Sequence, residues 1–123
     1  SYPAIADGEV VAALTASARA LDIPVHKGIV LTQALFYPGF LESTVKLYAK
    51  AGVKAMENEV ASLLVVASLH GVKAGAIIAA DAPAFELVGV DGYNQTADAA
   101  DVAQAVENEI SIALDAIVQV PLD

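Results

Sequence analysis

Apolar and polar positions along this chain follow two periods, and the switches between them mark out alternating helices and strands. Asp7 stands before Val10, Val11, Leu14 and Ala18, an apolar stripe at helical spacing that predicts a capped helix from about Gly8 to Leu21. Pro24 fits a turn, and HKGIVLTQ (26–33), β-branched at its centre, predicts a short buried strand ending near Gln33. The loop ALFYPG (34–39) follows. A second helix is expected over 41–50, with Val45, Leu47 and Tyr48 on it and Gly52 closing it. Residues 53–57 predict a second strand. EVASLLVVASLH, from Glu59 to His70, is apolar almost all round, which predicts a helix buried on most sides and stopped by Gly71. VKAGAIIAAD (72–81) is small and β-branched enough for a third strand in the middle of a parallel sheet. An irregular stretch (82–95) precedes a last helix opened by Thr96 or Asp98, with Val102, Val106, Ile110, Leu114 and Ile117 close to one face.

Helix, strand, helix, strand, helix, strand, helix is the order of an α/β layer architecture with right-handed crossovers. Three parallel strands are few, and parallel sheets need both faces covered, so the expected arrangement is one flank of a larger sheet.

Length and composition sharpen this picture. With 123 residues and no linker-like stretch or internal repeat, residues 1–123 read as a single unit. Hydrophobic residues make up 57%, above the roughly 45–50% usual for soluble domains, so part of the surface is expected to be covered by another chain or segment. The apolar stretches are interrupted by Ser68, His70 and Lys73 and fall short of the roughly 20 residues that cross a bilayer. A net charge of −9 with Arg19 as the single arginine argues against nucleic acid and membrane surfaces as partners. The chain has no cysteine, which rules out disulfides and thiolate metal sites and fits a reducing, cytoplasmic setting.

Ligands in open α/β sheets settle at the carboxyl ends of strands. Three such ends carry usable chemistry here: Gln33 with Phe36 and Tyr37, then Glu57 to Glu59, then Asp81. A lone strand-end carboxylate is more often a helix cap or a solvated residue. In combination, an aromatic face, a carboxylate that accepts hydroxyl hydrogens and a further acid suit a base, a sugar and a departing heterocycle. His26 and His70 stand apart with no i, i+4 partner, so no metal site is expected. Ser17, Ser43, Ser62 and Ser68 lack a nucleophile-elbow context, and no glycine-rich phosphate loop is present.

FYPG (36–39), GVKAMENEVASLLVVASLHGVKAG (52–75) and the opening YPAIADGEVVAAL together resemble the C-terminal half of the nucleoside phosphorylase type I family, closest to its uridine phosphorylase branch. The resemblance implies a three-layer α/β/α phosphorylase/hydrolase-like fold, of which this chain is an incomplete part of a larger mixed sheet. It also implies reversible phosphorolysis of a nucleoside, uridine-like or purine, to free base and ribose 1-phosphate. Phosphate would be a co-substrate, with no cofactor. The family's Glu-Met-Glu before an apolar helix supplies the Glu that grips the ribose hydroxyls, and the interval from Glu59 to Gly71 sets the register on Glu59. Glu57 then resembles the first acid of the motif, Asn58 stands at the methionine position, and Phe36 resembles the aromatic that packs against base and sugar. Glu57, Asn58 and Glu59 are thus the expected ribose-binding residues, and Phe36 and Phe40 the expected base-binding ones.

The departures are specific. Uridine-specific members carry a Gln and an Arg just after FYPG, where this chain has Phe40, Leu41 and Glu42. Purine-cleaving members place Ser-Asp at the third strand end to protonate the base, and Asp81 followed by Ala82 matches with a shift of one residue, making Asp81 the candidate catalytic acid. The family's phosphate-binding arginines lie in its N-terminal half. The chain is therefore expected to be a C-terminal fragment or one piece of a nicked enzyme, inactive alone, joined to its N-terminal half and to further copies as a dimer or hexamer. The competing expectations are a nucleosidase that uses water in place of phosphate and a non-catalytic interaction module of the same fold.

Overall fold

The computed structural model of the chain describes residues 1–34, 44–83 and 98–122. Its elements are α1 (Gly8–Ala20), β1 (Val30–Thr32), α2 (Val45–Lys50), β2 (Ala55–Glu57), α3 (Val60–Leu69) and α4 (Ala99–Ile117). β1 and β2 form a parallel pair in the register Val30 with Ala55, Leu31 with Met56 and Thr32 with Glu57. Both strands are shorter than the sequence suggests, and of the helix expected over 41–50 the described part is α2, with 41–43 outside the described residues.

The helix ends follow from local chemistry. Asp7 caps α1, its carboxylate accepting from the backbone N–H groups of Glu9 (2.9 Å) and Val10 (3.2 Å). Asp98 caps α4 by accepting from Ala100 N–H at 2.8 Å. α2 closes through Gly52 and α3 through Gly71, both in the left-handed region at φ 87° and 66°. In each, the following residue's N–H reaches back to a carbonyl five residues earlier: Val53 to Tyr48 (3.1 Å) and Val72 to Ala67 (2.9 Å).

The core lies where α1 packs on α4. Ala13, Ser17 and Ala18 of α1 are buried with Ile112 and Ala116 of α4, and the small residues let the two backbones approach closely. Ser17 is fully buried and its hydroxyl is satisfied by the side-chain amide of Gln119 at 3.0 Å.

Three expectations are corrected. Residues 72–81 form no strand. A strand exists only through a backbone ladder to a neighbour, and among the described residues none lies alongside this segment. It is held instead by helices: Asp7 N–H donates to Ala74 O (2.8 Å), Lys73 pairs with Glu9 (2.5 Å), and Gly75 sits so close to Val10 that a Cβ there would meet Val10 Cγ1 at 2.6 Å. Half-buried and exposed positions still alternate from Gly75 to Ala80, the pattern of a strand without its partner.

α3 is not buried on most sides. Only Leu64 is buried, while Leu63, Val66 and Leu69 are more than half exposed, because no described layer covers that face. The stripe Val106, Ile110, Leu114 and Ile117 of α4 also faces outward, with Ile117 70% exposed, whereas Ile112 and Ala116 face α1. α4 therefore carries two apolar faces, one of them uncovered among the described residues. Among the described residues no helix is long and apolar enough to cross a membrane.

Candidate functional site

The parallel register brings the carboxyl ends of β1 and β2 side by side. Past Thr32 and Glu57 the two strands stay tied: Gln33 N–H donates to Glu57 O (2.8 Å), and the side-chain amide of Asn58 donates to Gln33 O (2.6 Å). The chain then turns directly into α3, so Glu57, Asn58 and Glu59 occupy the handover from strand to helix.

Glu57 uses both carboxylate oxygens within the chain. Oε1 accepts the Thr32 hydroxyl, and Oε2 accepts the backbone N–H groups of Glu59 (2.5 Å) and Val60 (2.6 Å). Thr32 Oγ1 in turn accepts Ala61 N–H at 2.9 Å. The first N–H groups of α3, which have no partner inside the helix, are thus satisfied by side chains from β1 and β2. Burial pushes the Glu57 carboxyl up, but its bonds from Thr32, Val60 and Glu59 outweigh this and hold it below the usual value of 4.5.

A group with a lowered folded-state pKa stabilises the fold above its unfolded value, and that contribution disappears as the pH falls through the folded value. Glu57→Gln lacks the contribution at every pH. The gap in urea midpoint between wild type and Glu57→Gln is therefore expected to be widest above pH 4.5 and to narrow on acidification below it. A gap that stays constant with pH would contradict the assignment.

Glu59 is the N-cap residue of α3, yet its side chain makes no capping bond. It is exposed and has no side-chain partner among the described residues, leaving its carboxylate available. Asp81 is exposed, at the end of the 72–81 segment. Phe36 and Phe40 lie outside the described residues. The structure thus brings Glu57, Asn58 and Glu59 together, and adds Thr32 and Gln33. Gln33 is a strand-end candidate in the sequence, and its side-chain oxygen is buried with no hydrogen-bond partner among the described residues. Thr32 is marked in the sequence only by a hydroxyl that ends the otherwise apolar run IVLT.

Among the described residues, apolar cavities lie away from this corner, one between α1, residues 73–77 and α4, another between the sheet and α2. Among the described residues no three His, Asp or Glu side chains gather in a way that could hold a metal ion. What the corner offers chemically is an outward carboxylate on a rigid mount, suited to accepting hydrogens from hydroxyl groups.

Residues 1–119 match the family model described as the phosphorylase superfamily. The chain is 36% identical over 115 residues to the purine nucleoside phosphorylase of Plasmodium vivax, covering 93% of this chain and 45% of that protein. It is 33% identical to the uridine phosphorylase of Thermococcus kodakarensis, covering 63% of this chain and 32% of that one. A solved structure described as the P. knowlesi homologue of P. falciparum PNP superposes with a TM-score of 0.74 at 33% identity, covering 96% of this chain and 45% of that one. The chain spans about half the length of the curated relatives it matches.

Proposed function

The chain belongs to the phosphorylase superfamily, and from that premise we propose that it supplies the sugar-holding side of an enzyme that splits nucleosides with inorganic phosphate. A phosphate oxygen attacks the anomeric carbon, the bond to the base nitrogen breaks, and the base leaves with that electron pair and takes up a proton. The products are free base and ribose 1-phosphate. Positive charge grows on the sugar ring as the base departs, and a carboxylate at the ribose hydroxyls both orients the ring and stabilises that charge. Glu59 takes this role, with Asn58 beside it. Asp81 is the proton donor to the base, and Phe36 and Phe40 its apolar contacts. The full enzyme is a three-layer α/β/α body in which further chain covers the outward faces of α3 and α4 and brings the phosphate-binding groups. It works as an oligomer in the cytoplasm.

One observation carries the reading. The carboxylate of Glu59 is exposed and has no partner among the described residues, at a strand-to-helix junction whose backbone is fixed on both sides. The purine nucleoside phosphorylase relative spans more of this chain than the uridine phosphorylase does, so inosine is the first substrate to test.

The experiment is an assay of the full polypeptide carrying this chain with inosine, uridine and methylthioadenosine, with and without phosphate. Base release that requires phosphate and yields ribose 1-phosphate is the expected result. Equal release without phosphate would replace phosphorolysis with hydrolysis, and no release or binding in either condition would favour a non-catalytic module.

A further inference from the structure

We infer that Thr32 and Glu57 act together as a clamp that positions Glu59, so that Thr32 is a positioning residue of the site and Glu57 holds the protein's own backbone, not the sugar. The inference rests on the reading of Glu59 as the sugar-binding carboxylate and concerns how that carboxylate is kept available.

A residue at a helix N-cap commonly folds its own side chain back onto the first free N–H groups. Glu59 occupies that position on α3 and makes no such bond. The capping falls to two side chains from the sheet. Glu57 Oε2 takes the N–H groups of Glu59 (2.5 Å) and Val60 (2.6 Å), and Thr32 Oγ1 takes that of Ala61 (2.9 Å). The Thr32 hydroxyl then spends its single hydrogen on Glu57 Oε1, which orients the carboxylate toward the helix. Each member holds the next, and the backbone of Glu59 is tied to both strands of the sheet.

This geometry reassigns Glu57. Both of its oxygens already accept hydrogens from within the chain, and these charge-assisted bonds fill three of its roughly four acceptor sites, leaving little capacity for a sugar hydroxyl. Delegating the cap to Glu57 and Thr32 leaves the Glu59 carboxylate outside the helix's own hydrogen bonding.

The test uses the full polypeptide carrying this chain, as wild type, Thr32→Val and Thr32→Ser. Valine preserves the shape of Thr32 and deletes its hydroxyl; serine restores the hydroxyl. Two quantities are read: kcat/KM for a ribonucleoside against its 2′,3′-dideoxy analogue, and hydrogen exchange of the Glu59, Val60 and Ala61 amides. In Thr32→Val the ribonucleoside value is expected to fall about tenfold and the dideoxy value by about twofold at most, since only the former has hydroxyls for Glu59 to hold. The three amides are expected to exchange faster, and Thr32→Ser is expected to restore both readouts.

An equal fall for both substrates in Thr32→Val would mark Thr32 as merely structural and overturn the inference, as would unchanged exchange at the three amides. If the wild-type polypeptide cleaves neither substrate, the enzymatic reading fails on its own. The exchange comparison then still decides the clamp, with faster exchange in Thr32→Val supporting it.

Discussion

Glu59→Gln in the full polypeptide is expected to lower kcat/KM for a ribonucleoside by about ten- to a hundredfold, the range set by losing a charged acceptor worth about 1.5–3 kcal/mol. Glutamine keeps the size of the side chain and one accepting oxygen, so shape and packing change little at this exposed position. In the proposed role, what it removes is the negative charge that would face the ring at which positive charge develops. The fall should therefore appear mainly in kcat, because the interaction is stronger in the transition state than in the bound nucleoside. The fold should be unaffected, since Glu59 has no side-chain partner among the described residues and makes no cap. Steady-state kinetics beside a urea titration separates the two effects. Turnover within about threefold of wild type would show that the carboxylate does not bear on the sugar, being smaller than the loss of any charged hydrogen bond in the expected range.

The second large effect concerns stability. Ile112→Ala is expected to destabilise the chain by about 2–5 kcal/mol, the cost of lost burial plus the cavity left behind. Ile112 is 1% exposed and lies where α4 meets Ala13, Ser17 and Ala18 of α1. Leu114→Ala, two residues on, removes a side chain that is 65% exposed, and its cost should stay within about 0.5 kcal/mol. Urea midpoints of the two variants check the contrast. A larger loss for Leu114→Ala would mean that the outward stripe of α4, not the face carrying Ile112, forms the core of this chain.

The same contrast shows what the sequence makes legible. Features decided within a few residues were readable. The Asp7 cap, the glycine closures at Gly52 and Gly71, the centres of both strands and the placing of Glu57, Asn58 and Glu59 at a strand-to-helix junction all stand in the structure. Features decided by a neighbour were not. Residues 72–81 have the composition of a strand and, from Gly75 to Ala80, its alternating exposure, but pairing depends on what lies beside them. α3 has no polar face to show which side is covered. In α4 the apolar residues Val106, Ile110, Leu114 and Ile117 suggest the buried stripe, yet close packing against the small residues Ala13, Ser17 and Ala18 of α1 favours the side carrying Ile112 and Ala116.

The site divides in the same way. Glu57 to Glu59 are consecutive, and their motif could be read along the chain. The bond between Thr32 and Glu57 spans 25 residues and becomes visible only once the register of β1 against β2 is known. That bond bears on Glu57, which in sequence is one acid of a sugar-binding pair and in the structure accepts three hydrogens, two from backbone N–H groups and one from Thr32. Neither Phe36 nor Phe40 adds to this comparison, since both lie outside the described residues.

A crystal structure of the full polypeptide with a bound nucleoside tests most directly whether the carboxylate at position 59 holds the pentose. A Glu59 oxygen is expected within about 3.2 Å of a ribose hydroxyl, with Glu57 still bonded to Thr32 and to the start of α3. A sugar seated against Glu57 with Glu59 turned to solvent, or a nucleoside bound away from the ends of β1 and β2, would contradict that role.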